Sequence, residues 1–145
     1  MNAPVNVKTV ATHGLSLEAA YALLAEARRA CEARGFAPTI AITDAGGHLR
    51  VLERADSAPF LTAEVAADKA WTSASFGLST HDWNRYMGEP TVAPLAHHPR
   101  LMPVGGGLPI YVDGALTGGI GISGGTSVQD HEAGEDALRA LGLLA

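Results

Sequence analysis

GGGLPIYVDGALTGGIGISGGT, residues 105–126, contains nine glycines in 22 positions. Asp113 and Gly114 have the composition of a two-residue hairpin turn, which predicts strands over 108–112 and 115–123. Side chains alternate between the two faces of a strand. In the second strand, one face carries most of the aliphatic residues, and the opposite face carries Ala115, Thr117, Gly119, Gly121 and Ser123. A strand face with so few side-chain atoms indicates close approach by another backbone, a neighbouring subunit or a flat ligand.

The glycines do not match the motifs that bind nucleotide phosphates. The stretch lacks the Lys-Ser or Lys-Thr pair of a P-loop, and no G-x-G-x-x-G pattern follows a strand and opens a helix. We therefore expect a tightly packed sheet rather than a phosphate-binding loop or a flexible linker.

The rest of the chain alternates between helical and strand patterns. Apolar residues at helical spacing predict a first helix over 16–34 and a second, rich in small residues, over 60–78. Thr126 and Gln129 have the spacing of a capping box that begins the last helix. Between the first two helices, an Asp-Ala-Gly-Gly turn joins strands at about 39–43 and 48–53, with Asp44 expected to accept backbone N–H bonds in the turn.

This order of elements predicts an α+β fold in a single domain. We expect an antiparallel sheet of about five strands packed with helices. Residues 80–87 are expected to add a short helical turn. Residues 88–107 are predicted to form a long surface loop, and loops of that length in small domains are often functional.

Composition and charge exclude several classes of function. The formal net charge is −5, the isoelectric point is about 5.6, and the ten Lys and Arg residues are scattered. We therefore expect no nucleic-acid partner, because such surfaces are normally basic. No apolar run reaches the roughly 18 residues that span a bilayer, so we expect no membrane partner and a cytoplasmic location. The single cysteine, Cys31, falls on the buried stripe of the first helix.

Two blocks of sequence resemble the GlcG/HbpS family, also called the haem-degrading or PduO C-terminal type domain. They are IAITDAGGHLRVLERADSAPFLTAEVAADKAWTSAS and GGGLPIYVDGALTGGIGISGGTSVQD, and the resemblance covers roughly residues 15–142. It implies a profilin-like fold over 15–145 after an N-terminal extension at 1–14, and a homo-oligomer between a dimer and an octamer. Members include haem-binding proteins and proteins encoded beside catabolic enzymes for small organic compounds.

The resemblance also draws attention to charged residues in segments that are otherwise weakly charged. Arg54 and Lys69 are each expected to pair with a carboxylate or to bind an anionic ligand. The plausible carboxylate partners are Asp56, Asp130 and Glu132. A salt bridge at a subunit contact and a ligand site explain the two cations equally well.

The six histidines show no helical pair or Cys/His pattern typical of a metal site. A lone neutral imidazole can nevertheless ligate haem iron, and His13, His97 and His98 are the candidates. The small-residue face with Gly119 and Gly121, together with Trp71, is the predicted slot for the macrocycle. Helices of the same domain are the alternative occupant of that slot.

These observations leave three hypotheses for function. The first is a protein that binds haem, or another flat or anionic small molecule, in a groove formed partly by oligomerisation. The second is a cofactor-independent hydrolase or isomerase for a small carboxylated catabolite, with His97 or His98 as acid and base and Arg54 or Lys69 holding the carboxylate. The third is an accessory protein without catalytic activity.

Overall fold

The computed structural model describes Pro4 and residues 6–145, which form four α-helices, four β-strands and a short 3-10 helix. The elements in chain order are α1 (Leu17–Ala33), β1 (Thr39–Asp44), β2 (Leu49–Arg54), α2 (Leu61–Phe76), α3 (Thr80–Tyr86), the 3-10 helix (Ala93–His97), β3 (Gly107–Val112), β4 (Ala115–Ser123) and α4 (Ser127–Ala140).

Two hairpins join through β1 and β4 into one antiparallel sheet with the strand order β2-β1-β4-β3. The single α+β domain is confirmed, whereas the expectation of about five strands is wrong, because the sheet has four strands within Pro4 and residues 6–145. The two predicted hairpins supply all of them. Leu15 precedes α1 in the chain and lies past the Asp44 end of β1 in space. Its N–H group donates one backbone hydrogen bond to Thr117 of β4, at 3.0 Å, but Leu15 is not part of a strand.

Helices α1 and α4 cover one face of the sheet and form the main core. Ile40 and Ile42 of β1 and Ile120 and Ile122 of β4 are fully buried there. The helix ends follow the predicted capping chemistry: Ser16 accepts a hydrogen bond from the Ala19 N–H group, and Thr126 and Gln129 form a complete capping box.

Helix α2 covers the opposite face, which carries the small residues of β4. A β-carbon on Gly119 would overlap the carbonyl oxygen of Ala70, and one on Gly121 would overlap the carbonyl oxygen of Ala66. The glycines are therefore required by the close approach of the α2 backbone, which is one of the explanations that the sequence allowed.

No helix within the described residues is long and apolar enough to cross a membrane.

Candidate functional site

The small-residue face of β4 is not an open slot for a flat ligand. Because α2 lies directly on Gly119 and Gly121, both glycines are inside the domain and buried. The predicted macrocycle slot at this face is therefore filled by a helix of the same chain. Gly119 and Gly121 are not accessible to a ligand in this structure.

Trp71 lies on α2 but points away from those glycines, toward the β1–β2 turn and the long loop. A β-carbon on Gly47 would come within 2.7 Å of its indole Cδ1. The His98 ring stacks on the indole at a centroid distance of 5.4 Å and an angle of 14°, and the Arg100 guanidinium carbon lies 4.7 Å from the ring centroid. Trp71 thus anchors the loop to α2.

The β1–β2 turn itself is organised as predicted. Oδ1 of Asp44 accepts hydrogen bonds from the Gly46 and His48 N–H groups, both at 3.0 Å. Partial burial of Asp44 opposes ionisation, but these backbone bonds and the neighbouring His48 ring outweigh it and lower the pKa of the carboxyl group. Asp44 therefore has a structural role in the turn.

Lys69 and Asp130 form a buried ion pair. Nζ of Lys69 donates to Oδ2 of Asp130 at 3.0 Å and to the Ile122 carbonyl oxygen at 2.8 Å. Burial lowers the pKa of Lys69 and raises the pKa of Asp130, because each charge loses hydration, while the mutual attraction opposes both shifts. Since both side chains are almost completely buried, the Lys69 ammonium is not exposed to hold an anionic ligand in this structure.

The other predicted ligand-binding residues do not join this pair. Arg54 is exposed at the end of β2 and donates to the carbonyl oxygen of Ala58 at 2.8 Å. Asp56 is exposed in the following turn, and the carboxylate of Glu132 lies 3.9 Å from Nε of Arg34. Apart from the Lys69–Asp130 pair, the charged residues that the sequence singled out are therefore in separate parts of the fold, and their role in binding stays a prediction.

The loop histidines lie on the surface over α2. His97 is exposed at the end of the 3-10 helix. Nδ1 of His98 accepts a hydrogen bond from the Arg100 N–H group at 3.2 Å, which places the proton of the neutral ring on Nε2. In this conformation His98 has no free lone pair for iron or for a substrate proton. The described contacts also do not bring either histidine together with Arg54 or Lys69, as the enzyme hypothesis would require.

His13 differs from the other two candidates because it lines a pocket of about 580 Å³. The walls are formed by the segment before α1, the first turn of α1, the β3–β4 hairpin and the chain after α4. Leu15, Ala19, Val112, Ala115 and Leu143 supply apolar surface, and His13 and Asp113 are the titratable residues of the lining. This His13 pocket combines an imidazole with apolar walls, which is the combination that a haem site needs.

Sequence analysis identified His13 but missed the pocket. Its walls come from residues 13–19, residues 112–117 and Leu143, which are distant in the chain, and no local pattern predicts that they meet. The helical pattern that begins at Ser16 and the Asp-Gly turn locate two of these segments, but only the packed sheet brings the hairpin beside the start of α1.

No group of three or more His, Cys, Asp or Glu side chains within the described residues is placed to hold a metal ion. His131, Glu135 and His81 lie close together but are not such a group. Nε2 of His131 lies 2.7 Å from the Glu135 carboxylate, and the His131 ring packs against the His81 ring at a centroid distance of 4.9 Å. These contacts make it a packing element between α3 and α4.

The sequence and the fold can be compared with known proteins. The family model described as haem-degrading protein HbpS-like matches residues 15–139, and the chain belongs to this family. The corrinoid adenosyltransferase PduO of Citrobacter freundii is 34% identical over 108 residues, which are 72% of this chain and 32% of PduO. This chain therefore corresponds to about a third of that enzyme's length.

For two further proteins, the region similar to this chain covers most of that protein's own length. Protein GlcG of Escherichia coli K12 is 31% identical over 109 residues, covering 75% of this chain and 81% of GlcG. A crystal structure of PduOC in complex with haem superimposes with a TM-score of 0.83 at 28% identity, covering 90% of this chain and 96% of PduOC. The GlcG/HbpS resemblance is thereby confirmed.

Proposed function

We propose that this protein binds haem in the His13 pocket, with the imidazole of His13 as a ligand of the iron. The observation that carries the proposal is that His13 lines a pocket with apolar walls, whereas His97 and His98 are exposed in the long loop. The likeness to PduOC, whose structure contains haem, supports the same class of ligand. The profilin-like description and the homo-oligomer that the family resemblance implies belong to the proposal as well.

The residues of the pocket fit one edge of a macrocycle. A volume of about 580 Å³ lies within the range of roughly 300–1,000 Å³ that is usual for small-molecule sites. Leu15, Val112 and Leu143 would offer apolar surface to a porphyrin, and neutral imidazole is a common ligand of haem iron. When bound, haem would supply redox-active iron, and the chain would contribute the ligand and exclude water from the covered edge.

The pocket opens to solvent, so a neighbouring subunit has room to complete it. Leu17 and Tyr21, near the start of α1, are 44% and 56% exposed. Burial of such side chains against a second copy would enclose the rest of a bound ligand.

The test is a titration of the purified protein with hemin, followed by absorbance. We expect a saturable Soret band that His13→Ala removes or shifts, since the variant lacks the imidazole that would ligate the iron. The variants His97→Ala and His98→Ala should titrate like the wild type, and His48→Ala serves as the matched control because its side chain is exposed outside the pocket.

A second variant tests the pocket without changing His13, the proposed ligand of the iron. Ala19→Trp should fill the cavity and weaken hemin binding while keeping His13. Absence of a saturable band in the wild type overturns the proposal. A band that survives His13→Ala unchanged overturns the site assignment, and its loss in His97→Ala or His98→Ala would move the site to the long loop.

A further inference from the structure

We infer that Arg50 is a positioning residue that holds His13 at its pocket. This inference rests on the proposed function, but its structural part can be tested without haem. The residue to which Arg50 binds is Leu15, two positions after His13.

Leu15 is held at three points. Its N–H group donates to the Thr117 carbonyl oxygen at 3.0 Å, and its own carbonyl oxygen accepts a hydrogen bond from Nη1 of Arg50 at 3.1 Å. Its side chain is 3% exposed and belongs to the main core. Because a trans peptide chain has only two soft torsions per residue, fixing Leu15 this way limits the His13 imidazole to the positions that the torsions of Gly14 and His13 reach.

The segment that carries His13 crosses the end of the sheet. A β-carbon on Gly14 would lie 3.7 Å from Cβ of Asp44, the last residue of β1. Leu15 then meets β4 at Thr117, just beyond the Asp44–Gly118 pair that ends the β1–β4 ladder. The segment therefore passes over the ends of two central strands, and Arg50 reaches it from the edge strand β2.

A β-bulge explains why Arg50 can reach this segment. In the β1–β2 pairing, Ile42 is opposite Val51 but Thr43 is opposite Leu49, so Arg50 is left without a directly paired residue. Bulges commonly redirect the side chain of the extra residue. Here the redirected guanidinium bonds to the Leu15 carbonyl instead of extending from the sheet edge.

The residue type suits this role. A guanidinium stays charged at all ordinary pH values and donates charge-assisted hydrogen bonds from a rigid planar group. Within the part of the chain that the structure describes, the Arg50 guanidinium forms no ion pair with a carboxylate. Its side-chain hydrogen bond goes to the Leu15 carbonyl oxygen.

The experiment compares Arg50→Ala, Arg50→Lys and Arg28→Ala. Arg28 is the matched control because it also links a helix to β2, through Glu53, but does not contact residues 13–15. In protein without hemin, amide hydrogen exchange at Leu15 should rise about tenfold in Arg50→Ala, consistent with the loss of one charge-assisted hydrogen bond. It should stay near the wild-type rate in Arg28→Ala.

With hemin, Arg50→Ala should raise the dissociation constant about tenfold and move the Soret band toward that of His13→Ala. Arg50→Lys should restore most of both properties, because an ammonium can still donate to the Leu15 carbonyl. A purely structural effect on stability would not move the band toward that of the ligand variant.

The possible failures are distinguishable. If the wild type binds no hemin, the proposed function fails, and the exchange rate at Leu15 alone decides whether Arg50 fixes this segment. An unchanged Leu15 exchange rate in Arg50→Ala overturns the inference. If His13 ligates the iron in the wild type, an unchanged Soret band in Arg50→Ala also overturns the inference.

Discussion

Nζ of Lys69 lies 3.0 Å from Oδ2 of Asp130 in a region where each side chain is almost completely buried. The second carboxylate oxygen accepts a hydrogen bond from the Gly125 N–H group at 2.9 Å. The pair therefore connects α2, α4 and the loop between β4 and α4, and it joins two helices that cover opposite faces of the sheet.

Removing one member of this pair should be strongly destabilising. Lys69→Met leaves the Asp130 carboxylate buried without its counter-charge, and we expect a loss of about 3–5 kcal/mol in the free energy of unfolding. The double variant Lys69→Met, Asp130→Asn should recover part of that loss, because asparagine is neutral and can still accept the Gly125 bond. Urea unfolding measures both values.

The exposed pair Arg28–Glu53 provides the control for this prediction. Arg28→Ala should cost at most about 1 kcal/mol, because solvent screens a surface ion pair. A loss in Lys69→Met that is no larger than the loss in Arg28→Ala would contradict the role given to the buried pair.

Asp44 should make stability depend on acid pH. Its folded-state pKa is lowered below the ordinary value near 3.8, so the folded state binds fewer protons than the unfolded state as the pH falls through this region. The stabilisation is fully present above the unfolded pKa and is lost as the pH falls through the lowered folded pKa.

Asp44→Asn isolates this contribution because asparagine keeps an oxygen acceptor for the Gly46 and His48 N–H groups but does not titrate. We expect the difference in stability between wild type and variant to shrink between about pH 5 and about pH 3. Urea unfolding at both pH values gives this difference. A difference that stays constant would show that the Asp44 carboxyl group does not titrate with a lowered pKa.

Gly121 should tolerate no side chain. Alanine there would push its β-carbon into the Ala66 carbonyl oxygen, so α2 must move away from the sheet. We expect Gly121→Ala to lower the free energy of unfolding by about 1–3 kcal/mol or to prevent folding.

Gly88→Ala is the matched control for this substitution, because the nearest atom to an added β-carbon is the Arg85 carbonyl oxygen at 3.3 Å on the protein surface. Thermal unfolding of the two variants under identical conditions compares them. Equal midpoints would show that α2 does not press on β4 at Gly121.

Much of the fold could be predicted from local patterns. The Asp113–Gly114 turn fixed the second hairpin, and Thr126 with Gln129 fixed the start of α4. The number of strands was overestimated, although the two hairpins recognisable in the sequence already accounted for the four strands of the sheet.

The candidate site was less predictable. His98 has the residue type of a metal ligand, but its Nδ1 is occupied by the Arg100 N–H group. Arg50 has no sequence signal at all, since the bulge that directs it is visible only in the register between β1 and β2. A one-residue shift in pairing changes which groups a side chain can reach, and the sequence of one strand does not specify that shift.

The sequence by itself determined where the four α-helices and the two hairpins lie, the α+β class, and that something must approach closely at Gly119 and Gly121. These features depend on the period of apolar residues and on turn and cap chemistry, which act over a few neighbouring residues. Only the tertiary structure decided that α2 fills the glycine face, that Lys69 pairs with Asp130, and that His13 meets the β3–β4 hairpin. Those contacts join residues far apart in the chain, and they form because the sheet and helices can bury their apolar faces together in one arrangement.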